Sequence, residues 1–366
     1  MGKTHIVLIC TTGNTVVNFR KDLILKLLSE DYSISIICGD SDNANEIKAL
    51  GINLHICSMS NTSKSILQNF QYKKRLEILL KEIKPDVVFT FMVKPNIWGS
   101  RAAKKCGIKN IFCMIEGMGR VYTIDSFKNK LLKLLINCLY RKTCKIVKKV
   151  FFLNNDDLNF FANKKMIKPE KAVIINGIGI NVNAFPQKPL PEKDMFLMIA
   201  RLLYEKGVFE FCEAAEIVKK KYPDARFCIL GAEDTIKTKD LEKYSAVEYL
   251  GTTQNILSVY EQCSVYVLPS YREGMPRTIL EALSVGRPII TTDTNGCKET
   301  VVDSLNGFLI PIKNIETLAE KMELFIGNDP LKQQMASESR KMAEEKFNSI
   351  IINEKILAEI AYSCYN

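Results

Sequence analysis

The chain has 366 residues, of which 47% are hydrophobic and 25% are charged, and 51 Lys/Arg against 41 Asp/Glu give a net charge of +10. This length predicts two domains, because single hydrophobic cores stop growing near roughly 250–300 residues. No apolar run approaches the ~18 residues that a membrane-spanning helix needs, and the N-terminus does not read as a secretory signal, so we expect any membrane association to be peripheral.

Cysteine and histidine usage argues against metal and histidine-based chemistry. The twelve cysteines are spread singly, without a CxxC pair or a Cys/His cluster, and many lie in apolar runs. We therefore expect reduced, buried thiols in a cytoplasmic protein and no metal site. The two histidines, His5 and His55, both lie in strand-like runs, so we interpret them as structural.

The first half of the chain alternates short apolar runs with longer amphipathic ones. Helical patterns lie at 17–30, 72–82 and 98–106, between most of the predicted strands. Those strands span 5–10, 33–38, 53–57, 87–91, 111–115, 150–153 and 172–175. Continuous apolar strands that alternate with helices predict a parallel sheet covered on both faces, which is a doubly wound α/β domain.

A second α/β pattern begins after residues 183–194, where three prolines among polar residues predict a linker. The predicted strands there are 195–200, 226–230, 247–250, 265–269, 287–291 and 307–310, with helices at 207–220, 253–262, 276–285, 296–303 and 314–326. Residues 330–364 read as helical. We expect an N-terminal domain at 1–185, a C-terminal domain at 186–340, and a terminal helix at 341–366 that packs back on the first domain.

Charge divides the two halves. Residues 1–190 hold 30 Lys/Arg and 14 Asp/Glu, whereas residues 191–366 hold 21 and 27. A strongly basic half and a mildly acidic half indicate that the two halves bind different partners.

The segment that follows strand 265–269 carries the clearest candidate site. Ligands of doubly wound folds bind at the carboxyl ends of strands, and anions bind at helix N-termini. Glu273 precedes the helix that Gly274 and Pro276 open, and Glu281 lies eight residues further on. Two such carboxylates can contact different hydroxyl groups of one sugar nucleotide, although two unrelated helix carboxylates remain the alternative.

A pair of cations follows strand 195–200. Arg201 and Lys206 lie five residues apart in a loop that precedes a helix. Both are expected at the same end of the sheet as Glu273, where they can neutralise a diphosphate. The alternative is a solvated pair of loop cations.

These segments resemble glycosyltransferase family 4. The resemblance lies in LMIARLLYEKGVFEF, in YLGTTQNILSVYEQCSVYVLPSYREGMPRTILEALSVGRPIITTD and in GCKETVVDSLNGFLIP. It implies the GT-B fold, with two facing Rossmann-like domains and an interdomain cleft. It also implies a UDP-sugar donor, retention of anomeric configuration, and no cofactor or metal ion.

The resemblance assigns roles to matched positions. Arg201 and Lys206 would grip the donor diphosphate and stabilise the departing nucleotide, Glu273 would hold hydroxyls of the transferred sugar, and Glu281 would bind the ribose. Further donor-binding candidates are Gly13, Asn14, Gly231, Thr252, Thr253, Gly274, Met275, Pro276, Arg277 and Thr278.

Strand 111–115 is followed by EGMGRVYT, which places Glu116 between a buried strand and two glycines. The equivalent loop of the family often carries His or Asp near the donor sugar and the acceptor. The departure at Glu116 leaves two catalytic roles open, which are to position the acceptor or to assist proton removal.

Residues 127–149 hold eight Lys/Arg and an apolar stripe of leucines, and no acidic residue occurs from 127 to 155. A basic amphipathic helix is typical of membrane-surface binding. An ordinary helix that packs its leucines inward is the main alternative. Nucleic-acid binding is disfavoured, because no aromatic stacking platform accompanies the charge.

The N-terminal half is also similar to bacterial N-acetylgalactosaminyltransferases that act on lipid-diphosphate-linked saccharides. This similarity implies a polyprenyl-diphosphate-linked acceptor, a location on the cytoplasmic face of the membrane, and Arg20, Lys94 and Arg120 as acceptor-binding candidates. It predicts transfer of a hexose or N-acetylhexosamine in O-antigen, capsule or N-glycan assembly. A GT-B-fold UDP-sugar 2-epimerase and a non-catalytic peripheral membrane adaptor remain the alternatives.

Overall fold

The computed structural model describes residues 3–59, 66–119, 122 and 127–365. The chain divides into two compact units. The first comprises Met1–Ile178 and Ser349–Asn366, and the second comprises Gly179–Asn348. The proline-rich segment at 183–194 therefore lies within the second unit, and the last helix belongs to the first.

Seven parallel strands form the sheet of the first unit, in the order β3-β2-β1-β4-β5-β6-β7. β1 pairs with β2 through His5↔Ser33 and with β4 through Ile6↔Val87. The strand order reverses between β1 and β4, which makes this the switch point of a doubly wound sheet. The strands are β1 (His5–Ile9), β2 (Ser33–Cys38), β3 (Asn53–Ile56), β4 (Val87–Phe91), β5 (Asn110–Ile115), β6 (Lys149–Phe152) and β7 (Ala172–Ile174).

Helices cover this sheet because each presents an apolar stripe. In α1 the stripe is Val16, Leu23, Ile24 and Leu27, at spacings of three, four and seven, and Thr12 caps the helix by accepting from the Thr15 N–H. The terminal helix α13 packs against α1 and β5. The helices of this unit are α1 (Gly13–Ser29), α2 (Ala44–Ala49), α3 (Ile66–Ile83), α4 (Ser100–Lys105), α5 (Phe127–Ile146), α6 (Asn155–Asn163) and α13 (Ser349–Tyr365).

Six parallel strands form the sheet of the second unit, in the order β10-β9-β8-β11-β12-β13. The order reverses between β8 and β11, which pair through Val265↔Phe196. The strands are β8 (Met195–Ile199), β9 (Arg226–Leu230), β10 (Val247–Tyr249), β11 (Val265–Leu268), β12 (Ile289–Thr292) and β13 (Gly307–Ile310). The helices are α7 (Val208–Lys221), α8 (Thr238–Leu241), α9 (Ile256–Gln262), α10 (Arg277–Val285), α11 (Ile315–Glu323) and α12 (Asp329–Glu345).

Two arginines fasten the proline-rich segment to the second unit. The fully buried guanidinium of Arg287 donates to the carbonyl oxygens of Lys188 at 2.9 Å and Pro189 at 3.0 Å. Arg340 donates to the carbonyl oxygen of Phe185 at 3.0 Å. The predicted linker is therefore held in place, since its carbonyl groups are paired with buried donors.

The predicted fold class, α/β with two doubly wound sheets, is confirmed. One predicted helix is largely absent, because residues 296–303 form only a short 3-10 turn, Lys298–Thr300. Gly296 has a φ of +81°, and Val301 returns to extended backbone. Three consecutive β-branched residues from Thr300 onward also disfavour a longer helix.

Candidate functional site

The loops that leave β8 and β11 meet at the switch point of the second sheet. Gly207, in the β8 loop, has a φ of +74°, and a Cβ there would collide with the carbonyl oxygen of Pro269 in the β11 loop. Only glycine accepts both the left-handed backbone and this close approach. The contact brings the segment that carries Lys206 against the segment that carries Glu273.

Lys206 and Glu273 form a partly buried ion pair, in which Lys206 Nζ donates to Glu273 Oε1. Their side chains are 23% and 12% exposed. The pair places an ammonium and a carboxylate at one point of the strand ends, so each fixes the orientation of the other. The sequence predicted that both lie at this edge, and the structure adds that they touch.

A third loop supports Glu273. The Glu273 N–H donates to the carbonyl oxygen of Asn295 at 3.0 Å. A Cβ at Gly296 would lie 2.5 Å from the carbonyl oxygen of Glu273. The Asn-Gly dipeptide after β12 is an ordinary turn signal. It could have identified this loop from the sequence, although the sequence analysis did not use it.

Helix α10 begins shortly after Glu273, at Arg277, and presents an N-terminus suited to an anion. Pro276 is its N-cap and offers no capping side chain. The Ile279 N–H already bonds to the Pro276 carbonyl at 3.0 Å. Gly274, Met275, Pro276, Arg277 and Thr278 therefore frame a helix start where backbone N–H groups and the helix dipole favour a phosphate.

Glu281 is nearly buried, with 7% of its side chain exposed. Arg277 Nε donates to Oε1 at 2.8 Å, and the Tyr260 hydroxyl lies 3.1 Å from Oε2. Burial raises the pKa of Glu281 above its ordinary value, against the opposing effects of Arg277 and Tyr260. A carboxylate oxygen has more than one acceptor site, so this group still has capacity for ribose hydroxyls.

Two buried tyrosines position the first turn of α10, and the sequence analysis missed both. The Tyr260 hydroxyl lies 2.8 Å from the carbonyl oxygen of Thr278. The Tyr266 hydroxyl lies 2.7 Å from Thr278 Oγ1 and 3.2 Å from the carbonyl oxygen of Ile199. These contacts join α10 to the end of β8, where the candidate cations follow.

Arg201 lies on the same edge but is more open. Its side chain is 61% exposed, and Nη1 lies 3.0 Å from Asp234 Oδ2. Because the pair is largely solvated, it leaves the guanidinium adaptable. A diphosphate at the switch point would be a stronger, bidentate partner.

Gly231 lies where the loops after β8, β9 and β10 meet. A Cβ there would collide with the carbonyl oxygen of Ala200, and its N–H donates to Gly251 at 2.7 Å. Thr252 and Thr253 follow Gly251 and are exposed. These positions form one continuous rim with Arg201 along the carboxyl ends of three neighbouring strands.

In the first unit, Gly13 and Asn14 have partners within the chain. The Gly13 N–H donates to Asp40 Oδ1 at 2.8 Å, and a Cβ at Gly13 would collide with the carbonyl oxygen of Asp42. Asn14 Oδ1 accepts from Asn43 Nδ2 at 2.8 Å. The acidic loop after β2 thus accounts for the glycine, and the predicted contact with a donor diphosphate stays a prediction.

Arg20 and Glu116 form a second ion pair, which is largely buried at the carboxyl end of β5. Arg20 is 3% exposed, and its guanidinium lies 4.2 Å from the centre of the Phe91 ring. It also donates to the carbonyl oxygen of Phe19 at 2.9 Å. In this structure Arg20 therefore holds Glu116, and the predicted contact of Arg20 with the acceptor stays a prediction.

Of the other two acceptor candidates, the structure describes only Lys94. Arg120 lies outside the described residues. Lys94 follows β4 and lines a cavity of about 290 Å³. Burial lowers the pKa of Lys94, because it disfavours the charged ammonium.

The basic segment presents an apolar surface outward. In α5, Leu131, Leu134 and Leu135 are 68%, 66% and 48% exposed, whereas Tyr140 and Cys144 are buried. Leu132 and Leu139 are half-buried, so the alternative in which the leucines pack inward describes only part of this helix. No helix among the described residues has both the length and the apolar character that crossing a membrane requires.

Not every cation of this segment faces outward. Lys148 donates to the carbonyl oxygen of Ser363, and Lys149 pairs with Glu359 at 3.1 Å, so both contact α13. Lys130, Lys142 and Lys145 are exposed. The outward surface of α5 therefore has exposed leucines between residues 131 and 135 and exposed lysines on either side of them.

Family models match both parts of the chain. The model described as glycosyl transferases group 1 matches residues 181–342, and the model described as glycosyl transferase 4-like matches residues 5–150. The first match contains every candidate donor residue of the second unit.

Two curated relatives align over nearly their whole lengths. N,N'-diacetylbacillosaminyl-diphospho-undecaprenol alpha-1,3-N-acetylgalactosaminyltransferase of Campylobacter jejuni is 30% identical over 359 residues, which cover 93% of this chain and 94% of the relative. UDP-Gal:alpha-D-GlcNAc-diphosphoundecaprenol alpha-1,3-galactosyltransferase of Escherichia coli is 27% identical over 349 residues, covering 90% and 89%.

Solved structures match the whole architecture. HepE of Anabaena, in complex with UDP and glucose, gives a TM-score of 0.81 at 16% identity and covers 98% of this chain and 100% of its own. A glycosyltransferase of Rickettsia africae gives 0.80 at 19% identity with complete coverage of both chains. At these identities the likeness shows the fold, which is GT-B.

Proposed function

The chain belongs to the group 1 glycosyltransferases, and from that premise we propose that it transfers a sugar from a UDP-sugar to an undecaprenyl-diphosphate-linked saccharide during bacterial surface-glycan assembly. It is a hexosyltransferase. The 2-epimerase and the non-catalytic adaptor are not supported, since the relatives are named as glycosyltransferases.

The observation that carries the proposal is the Lys206–Glu273 pair at the N-terminal side of α10. An ammonium, a helix N-terminus and a carboxylate converge there, next to Arg201. The cations and the backbone N–H groups would hold the diphosphate, and the carboxylate would hold sugar hydroxyls.

We propose that the transfer retains configuration and needs no metal ion. The bond between the anomeric carbon and the β-phosphate oxygen breaks, and the acceptor oxygen bonds to that carbon. The acceptor proton passes to the departing phosphate, whose charge Lys206 and Arg201 stabilise. Both relatives are named for alpha-1,3 linkages, which fits retention from the α-configured common UDP-hexoses.

In the first unit, we propose that Glu116 positions the acceptor and that Arg20 holds this carboxylate in place. We also propose that the enzyme associates with the inner face of the membrane through α5. The exposed leucines and lysines of α5 support this placement, since apolar and cationic groups together suit an anionic lipid surface.

The test supplies the enzyme with undecaprenyl-diphosphate-linked sugars and each common UDP-sugar, starting with UDP-GalNAc and UDP-Gal. Mass spectrometry should detect a lipid-linked product that is one sugar longer, with or without EDTA. Nuclear magnetic resonance of the product should show an α linkage. Absence of transfer from every UDP-sugar would refute the proposal, and loss of activity in EDTA would refute the metal-free mechanism.

A substitution links the activity to the site. Lys206→Ala should lower kcat by about 10²-fold or more, because a preorganised cation at the departing phosphate is lost. Lys221→Ala is the matched control, since Lys221 is 62% exposed and pairs with Glu323 on the surface. Equal activity of the two variants would remove the role assigned to Lys206.

A further inference from the structure

A cavity of about 290 Å³ lies beside α3 in the first unit. Ser58, just after β3, and Lys94, just after β4, line it together with side chains of α3. It is therefore at the carboxyl edge of the first sheet, where ligands of doubly wound folds bind. Among the described candidate residues from the sequence, Lys94 belongs to it.

One face of α3 supplies most of the polar lining. Gln68, Gln71 and Arg75 are spaced by three and four residues, so they lie on a single face of the helix. Arg75 Nη2 donates to the carbonyl oxygen of Ser58 at 2.7 Å, which holds the guanidinium at the cavity wall. A guanidinium has five donors, so Arg75 can also bind a ligand.

The charge in this lining is all of one sign. Arg75 and Lys94 come from different elements, and the lining residues include no aspartate or glutamate. Amide groups of Gln68 and Gln71 add donors beside the cations. Two cations with neighbouring amides match a diphosphate, which offers several acceptor oxygens and more than one negative charge.

An apolar surface adjoins the cavity. Leu67 and Phe70, in the first turns of α3, are 76% and 48% exposed. Lys74 lies one turn further on, 5.1 Å from the centre of the Phe70 ring. Exposed apolar side chains next to an anion-binding lining suit a ligand that joins a hydrocarbon chain to a phosphate.

We propose that this cavity binds the diphosphate of the lipid-linked acceptor, with Arg75 and Lys94 as its cations and Leu67 and Phe70 against the lipid chain. The inference rests on the proposed function and locates its acceptor. It adds Arg75 and the α3 face to the candidate residues of the acceptor side.

The test measures transfer kinetics with an undecaprenyl-diphosphate-linked sugar for Arg75→Gln and Lys94→Gln. Each variant should raise the KM for the acceptor about 10-fold to 100-fold, because a charge-assisted contact is lost. The KM for the UDP-sugar and the thermal shift given by UDP should stay unchanged. Lys81→Gln, an exposed lysine further along α3, is the matched control and should leave both KM values unaltered.

Direct binding separates the possible ligands. Farnesyl diphosphate should bind the wild type more tightly than farnesyl monophosphate and more tightly than inorganic diphosphate, and Arg75→Gln should reduce these differences. Equal binding of inorganic diphosphate would make the cavity a site for the free anion and overturn the lipid-linked assignment. Equal binding of the monophosphate would overturn the diphosphate.

The kinetics distinguish failure of this inference from failure of the function. If the wild type transfers sugar and both variants keep its acceptor KM, the cavity is not the acceptor site and the proposed function stands. Arg75→Lys guards against a structural effect of losing the Ser58 contact. Arg75→Lys should recover part of the acceptor affinity. If it recovers none and also alters the thermal shift given by UDP, the assignment of Arg75 is overturned.

Discussion

The Tyr260 hydroxyl has a single proton and two acceptors within reach. It lies 2.8 Å from the carbonyl oxygen of Thr278 and 3.1 Å from Glu281 Oε2. The hydroxyl can therefore donate to only one of these oxygens at a time. Burial raises the pKa of Glu281, although Arg277 and Tyr260 both oppose the shift. The residue that we assign to the ribose therefore titrates at a higher pH than an ordinary glutamate.

This raised pKa predicts that UDP binding depends on pH. Ribose hydroxyls donate to the ionised carboxylate, so binding favours the deprotonated form of Glu281. Because burial raises the pKa of the free group, UDP affinity should increase as pH rises through that raised pKa and then level off. Isothermal titration in buffers of different ionisation enthalpy should show proton release on binding.

Glu281→Gln is the control for that experiment. The glutamine cannot titrate, so the proton release that remains belongs to the phosphate of UDP. The stability of the free enzyme should change with pH in the opposite direction to its UDP affinity. Since the folded pKa is raised, the stability due to Glu281 is present below its unfolded pKa and is lost as pH rises through the folded pKa. If the wild type and Glu281→Gln release the same number of protons on binding UDP, the assignment of Glu281 to the ribose is contradicted.

At the residue scale, the sequence locates groups and the structure pairs them. Lys206 and Glu273 are both predicted at the strand ends, because each lies in the loop that follows a buried apolar run. Their contact depends on the approach of two loops at Gly207. Such an approach joins residues 67 positions apart, and neither periodicity nor propensity encodes it.

At the scale of elements, the outward leucines of α5 provide a test of the proposed membrane association. Leu134→Glu should reduce binding to vesicles that contain anionic lipid about 10-fold or more. Burial of a leucine is worth about 1.5–3 kcal/mol, and a new carboxylate also opposes the surface charge. Cosedimentation with vesicles measures the effect.

Leu324→Glu is the matched control. Leu324 is 46% exposed and follows the end of α11 in the second unit, outside the basic segment at 127–149. It should leave vesicle binding unchanged. If both substitutions weaken binding equally, general hydrophobicity explains the association and α5 has no special part in it.

The proline-rich segment gives a second prediction at this scale. Arg287 donates to four carbonyl oxygens, those of Lys188, Pro189, Tyr260 and Gly286. Arg287→Met should destabilise the second unit by about 3 kcal/mol or more, because buried carbonyl groups lose their donors. Calorimetry should show a lower unfolding temperature.

Arg226→Met tests whether loss of any arginine has this effect. Arg226 pairs with Glu248 on the surface, where the two side chains are 38% and 49% exposed. Such a pair contributes only about 0–1 kcal/mol. A similar fall in unfolding temperature for both variants would show that the buried hydrogen bonds from Arg287 to the proline-rich segment add no stability of their own.

Elements were predictable where burial is continuous. Most of the thirteen strands of the described residues follow apolar runs closely, because strands covered on both faces leave an unbroken hydrophobic signal, whereas the edge strands β3 and β10 are only partly buried. The proline-rich segment was predicted as a linker from its composition. Its attachment depends on Arg287 and Arg340, which lie about 100 and 150 residues further along the chain, beyond the reach of any local pattern.

At the scale of the whole molecule, the separation of charge agrees with the division of substrates. Residues 1–190 are strongly basic and hold the cavity that we assign to the acceptor. Residues 191–366 are mildly acidic, and two of their 21 Lys/Arg, Arg201 and Lys206, lie at the switch point. The long-range field of the chain should therefore favour an anionic membrane over the soluble donor.

This difference in charge between the two parts of the chain predicts that salt weakens the interaction with the acceptor more than that with the donor. Exposed charges are screened over about 10 Å at 0.1 M salt and about 3 Å at 1 M. Raising the salt concentration should therefore weaken transfer to an acceptor embedded in anionic vesicles, by about 10-fold between 0.05 M and 0.5 M if two or more lysines contribute roughly 1 kcal/mol each. The initial rate at saturating UDP-sugar measures the effect.

Neutral vesicles that carry the same acceptor provide the control. Their surface offers no charge for Lys130, Lys142 and Lys145, so only the contact with the acceptor diphosphate remains to be screened. The rate on neutral vesicles should start lower and fall less steeply with salt. Equal salt dependence on both surfaces would assign the basic half to the diphosphate alone, and would remove the membrane from the explanation of its charge.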